Sequence, residues 1–108
     1  MKFNTMYVSK WADGDPDDVT VIETPTYTLH SMTAGDSCDR IAVIGTYCRA
    51  NDIHSIVLCP GFTHSMVAQV TEEVGNNVAV AVSRSDGPGS AISTGVRSEA
   101  KRDLELKQ

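Results

Sequence analysis

The sequence predicts an α/β fold: a small single-domain sandwich with a mostly parallel sheet of four or five strands and two main helices. Strand-like and helix-like patterns alternate from residue 27 to 82, which reads as two successive β-α-β units with right-handed crossovers. Two of the strand-like runs, 55–59 (SIVLC) and 78–82 (VAVAV), are almost unbroken apolar stretches. That is the pattern of strands covered on both faces, so they are expected at the centre of the sheet. The helical segments between the runs carry one apolar stripe each. A ferredoxin-like α+β arrangement is the alternative.

Residues 2–8 (KFNTMYV) form a first strand. The following WADGDPDD is packed with Asp, Gly and Pro and is read as loop. Residues 19–23 are β-branched, and Pro25 ends them. A strand over 27–33 places Thr28, His30 and Met32 on one face and Tyr27, Leu29 and Ser31 on the other. Neither face is purely apolar, so this strand is expected near an edge or beside a wet cleft. Asp36 or Ser37 then caps a helix whose stripe is Ile41, Ile44, Gly45 and Cys48, and Asn51 offers a left-handed exit. After the run 55–59, Pro60-Gly61-Phe62-Thr63 breaks the chain sharply. Met66, Val67, Val70 and Val74 mark the second helix, closed by Gly75. Residues 83–95 read as a Gly/Ser/Pro loop. The domain is taken as 1–96, with 97–108 a charged tail, helical or frayed.

Composition narrows the function classes. The 108 residues carry 14 acidic and 9 basic side chains, a net charge of −5. This balance argues against a phosphate-backbone binder, so no nucleic acid is expected as a partner. No apolar run approaches the ~20 residues needed to span a bilayer, and no membrane partner is expected. The N-terminus lacks the apolar core of a signal peptide, and three cysteines without a C-x-x-C pair do not suggest a disulfide framework. A soluble, reducing, cytoplasmic setting is the expectation. Two helices cannot cover both faces of such a sheet, so a homodimer or higher homo-oligomer is expected.

In an open parallel sheet ligands bind beyond the carboxyl ends of the strands. Three loops leave such ends: Gly35-Asp36-Ser37, the turn from Cys59 to His64, and Ser83-Arg84-Ser85-Asp86. The turn is the most pointed. Gly61 permits close backbone approach, and the helix start behind it offers unpaired N–H groups from Gly61, Phe62 and Thr63 to a carboxylate or enolate oxygen. The plain alternative is that Pro60 and Gly61 only turn the chain and Thr63 only caps the helix. His64 is the candidate acid/base, with Asp86 or Asp36 assisting. Arg84 is placed to clamp an anion. Cys59 is either a pocket residue, as a nucleophile helped by His64 and the helix N-terminus, or core packing, the more usual role of a Cys closing an apolar strand. Asp13, Asp15, Asp17 and Asp18 resemble a calcium loop superficially, but the sixth position is Asp18 and the twelfth Thr24, so a solvated acidic turn is favoured. His30, His54 and His64 are scattered, and no metal site or cofactor is expected. Nucleotide, serine-hydrolase and zinc-protease signatures are absent.

The stretch from 56 to 86, IVLCPGFTHSMVAQVTEEVGNNVAVAVSRSD, resembles a family of small, mostly bacterial α/β domains of unknown function. Their pattern is an apolar strand into Leu-Cys-Gly-Gly-Phe, a helix, a Gly turn and a Val-rich strand ending in Arg-Phe-Asp. Leu58, Cys59, Gly61, Phe62, Arg84 and Asp86 match it, whereas Pro60 stands for a Gly and Ser85 for the aromatic. The resemblance implies an α/β domain and brings no activity with it.

Two functions remain. One is a cofactor-independent lyase, isomerase or cyclase that moves a proton on a small carbonyl- or carboxylate-bearing metabolite, with His64 as acid/base. The other is a non-catalytic small-ligand-binding or oligomeric assembly module.

Overall fold

A computed structural model describes residues 1–35, 41–83 and 89–107. The described elements are β1 (Phe3–Lys10), β2 (Thr20–Glu23), β3 (Tyr27–Ala34), α1 (Ile41–Ala50), β4 (Ser55–Leu58), α2 (His64–Val74), β5 (Ala79–Val82) and α3 (Gly89–Lys107). The five strands form one sheet in the order β2-β3-β1-β4-β5. β1 runs parallel to both β3 and β4, β5 is parallel to β4, and only β2 is antiparallel, along β3. The mostly parallel α/β sheet expected from the sequence is therefore the fold, and the ferredoxin-like alternative is not.

Register explains which side chains enter the core. Met6 lies beside His30 and Ile56, Ile56 beside Val80, and Val8 beside Met32 and Leu58. These positions share one face, and α1 and α2 both pack on it: Cys48 Sγ of α1 lies 3.7 Å from Met6 Sδ, while Val70 and Val74 of α2 join the same buried cluster. Both crossovers, β3 to β4 and β4 to β5, step the same way along the sheet, so right-handedness puts both helices on the same side. The two helices touch closely at Gly45, where an added Cβ would lie 3.1 Å from both Cβ and O of Glu73.

Several sequence expectations are corrected. β1 is the central strand and runs two residues further than expected, to Lys10. β5 is an edge strand, and β4 is covered on one face only. The apolar look of VAVAV conceals an alternation: Val80 and Val82 turn inward, while Ala79 and Ala81 are exposed on the other face. β3 lies one strand in from the β2 edge. Its buried face carries Thr28 and His30 because each has a partner, Asn4 Oδ1 at 2.9 Å and Tyr47 Oη at 2.5 Å. At the end of α1 the left-handed residue is Asp52 (φ 52°), and Asn51 instead donates from its side chain to the Tyr47 carbonyl. The expected cap at Asp36 or Ser37 lies outside the described residues.

A third helix is also present. α3 begins at Gly89, inside the stretch read as loop, and continues through the expected domain boundary at 96/97 into the tail. Ile92, Val96, Ala100 and Leu104 recur at helical spacing along it, between Gly and Ser residues read as loop. None of the described residues forms a helix long and apolar enough to cross a membrane.

Candidate functional site

Lys10 ends β1 and Cys59 directly follows β4, so the carboxyl ends of two neighbouring strands meet. The Lys10 backbone N–H donates to Cys59 Sγ at 3.1 Å, and the Cys59 N–H to the Val8 carbonyl at 3.0 Å. From here β1 leads toward β2 and β3 on one side, whereas β4 leads to α2 and β5 on the other. Outgoing connections that diverge in this way open a crevice, the usual ligand position in α/β sheets.

A cleft of about 280 Å³ occupies the position, lined by Tyr7, Lys10, Trp11, Cys59, Pro60, Gly61, Arg97 and Lys101. The Trp11 backbone N–H donates to the Ala34 carbonyl at 3.0 Å, tying the chain after β1 to the end of β3. Lys101 Nζ stands 5.8 Å from the centre of the Trp11 ring, within cation–π range. Among the described residues the lining therefore holds three cationic side chains, two aromatic ones and no carboxylate.

The sequence-derived residues divide three ways. Cys59 and Gly61 line the cleft. Phe62 is buried in the core beneath the turn, and its N–H donates to the Cys59 carbonyl at 3.2 Å, so that donor is engaged inside the turn. Thr63 caps α2, accepting from the Met66 N–H at 3.2 Å, and His64 opens the helix on its exposed side without lining the cleft. Asp36, Arg84 and Asp86 lie outside the described residues. A Cβ at Gly61 would meet Cys59 Sγ at 3.4 Å and Lys10 Cβ at 3.6 Å, ordinary contacts, so the turn does not demand glycine for space.

Lys10, Trp11, Tyr7, Arg97 and Lys101 were not singled out from the sequence. Extending the first strand by its alternation would have brought Lys10 and Trp11 to its carboxyl end. Arg97 and Lys101, four apart, share a helix face once the tail is read as helical.

A broader depression of about 620 Å³ lies at the opposite end, lined among others by Lys2, Asn4, Arg49, Asp52 and His54. Several of its polar groups are engaged in holding the fold. Lys2 pairs with Glu23, Arg49 donates to the Glu73 carbonyl at 2.7 Å, and His54 Nδ1 accepts from the Asn4 N–H at 3.0 Å. Among the described residues no cluster of three His, Cys, Asp or Glu side chains is arranged to hold a metal.

One family model matches the chain, over residues 1–95, and its description is a family of unknown function (DUF6506). No curated protein and no solved structure matches.

Proposed function

The chain belongs to DUF6506, a family of unknown function, and we propose that it binds a small carboxylate- or phosphate-bearing metabolite in the cleft between the ends of β1 and β4. The convergence of Lys10, Arg97 and Lys101 around Trp11 and Tyr7 carries this reading. Arg97 and Lys101 stand four residues apart on one helix face and bring two positive charges to the cleft beside Lys10, in a chain whose overall charge is −5, which favours an anionic ligand. A volume of about 280 Å³ is at the small end of ligand pockets and suits a metabolite better than a dinucleotide. The aromatic walls favour a ligand with an apolar or planar body behind its anionic group.

Binding is preferred to proton transfer because the sequence-derived acid/base, His64, does not line this cleft. Trp11 is the only tryptophan, so its fluorescence reports the cleft directly. Titration with inorganic pyrophosphate and with citrate should change Trp11 emission saturably, the effect weakening as NaCl is raised. Lys10→Ala combined with Lys101→Ala should abolish it. Unchanged emission with both anions up to millimolar concentration overturns the proposal.

A further inference from the structure

With α1 and α2 on one face, the other face of the sheet carries Phe3, Ile22, Tyr27, Leu29, Val57 and Ala81 among its outward positions. Every outward strand position on this face is uncharged. Ile22 is 60% exposed and Phe3 51%. Parallel sheets are normally covered on both faces. Among the described residues, α3 meets the Tyr7–Trp11 corner through Arg97 and Lys101. Ile92, 73% exposed, points away from that contact, about 140° to 180° round the helix from Arg97 and Lys101, and Val96 lies to its side, about 100° to 140° from them. The radius of gyration, 14.7 Å, exceeds the about 13 Å of a compact chain of this length, as a helix standing off the body requires.

We infer that the open sheet face is covered by the same face of a second copy, around a twofold axis running along the strands near β1. Side-chain size selects this axis. The β2-β3 side of the face is bulky, with Ile22, Leu29 and Tyr27, whereas the β4-β5 side is lower, with Ser55, Val57, Ala79 and Ala81. Rotation about an axis along the strands sets the bulky side of each copy over the low side of the other. Rotation about an axis across the strands would stack bulk on bulk and leave a gap opposite. The chosen axis also brings both α3 helices to the same end of the pair, where Ile92 and Val96 can join the contact.

The area is consistent with this. Two eight-residue and three four-residue strands, at about 3.3 Å per residue and about 4.8 Å between strands, cover about 440 Å². Residues 92–98 of α3, about 10 Å long and about 10 Å wide, add roughly 100 Å². Over both copies this reaches roughly 1,100 Å², above the about 1,000 Å² that a specific interface should clear, and the sheet alone falls below it.

Sedimentation at roughly 50 μM, where a dimer with a dissociation constant below about 10 μM is mostly assembled, should show a dimer. Ile22→Glu and Ala81→Lys, both at exposed positions, should each give a folded monomer, checked by circular dichroism. Mixed in equal amounts, the two variants should form a heterodimer. The carboxylate introduced at position 22 of one copy then meets the ammonium introduced at position 81 of the other, and the wild-type pairing survives on the second side. A monomeric wild type overturns the inference, and so does an Ala81→Lys variant that stays dimeric. A mixture of the two variants that stays monomeric overturns the axis.

Discussion

The Tyr47 hydroxyl of α1 lies 2.5 Å from Nδ1 of His30 on β3, joining helix to sheet inside the covered face. His30 is buried, and burial holds its imidazole below the ordinary histidine range, with attraction to Glu23 opposing weakly. The folded protein thus binds that proton less readily than the unfolded chain, whose His titrates near 6.5. His30 therefore contributes full stability above that value and progressively less as pH falls from it toward the lower folded-state value. Urea midpoints should decline through this window, and the difference between wild type and His30→Gln should narrow as pH falls. A pH-independent difference would contradict the assignment.

Tyr47→Phe removes the hydroxyl and leaves His30 Nδ1 facing an apolar ring. The expected loss is about 1–3 kcal/mol, the cost of an unmet buried polar group. Chemical denaturation at pH 8 measures it free of the histidine titration.

Two glycines should respond differently to alanine. At Gly14 a Cβ would lie 2.6 Å from Thr33 Cγ2 and 2.8 Å from the Thr33 carbonyl oxygen, so the loop after β1 must shift off β3. Gly14→Ala should cost about 1–3 kcal/mol, as overpacking does. Gly61→Ala meets only ordinary contacts and should stay within about 0.5 kcal/mol of wild type.

Thr63→Ala removes the acceptor for the Met66 N–H. A loss of about 1 kcal/mol is expected, and Thr63→Ser should recover most of it.

Burial pushes the Cys48 thiol up to about 11, whereas Cys59 is half-buried beside the cleft. Iodoacetamide at pH 8 should modify Cys59 in the native protein and Cys48 only on unfolding. Mass spectrometry of peptides separates the two sites.

Arg97→Ala should weaken pyrophosphate binding roughly tenfold, the value of one charge-assisted hydrogen bond. The loss should shrink at high salt. Equal affinity in the variant would remove α3 from the site.

Local patterns were enough for much of the fold. The stripe Ile41, Ile44, Gly45 and Cys48 defined α1, Thr63 and Gly75 bracketed α2, and the alternation of strands with helices implied parallel pairing. These features depend on neighbours within one or two turns of chain, so residue spacing alone reveals them. The order of strands does not. That β1 sits between β3 and β4, and that β5 lies at the edge, depends on pairings among segments tens of residues apart. An alternation of Val with Ala looks the same in sequence whether one face or both are covered. The candidate site was legible only in part: the carboxyl-end rim with Cys59 and Gly61 could be placed, but not Lys10, Trp11, Arg97 and Lys101. Those four come from the end of β1 and the middle of α3, some ninety residues apart in the chain. Only the tertiary fold brings them together, because cation and ring are joined by packing rather than by spacing.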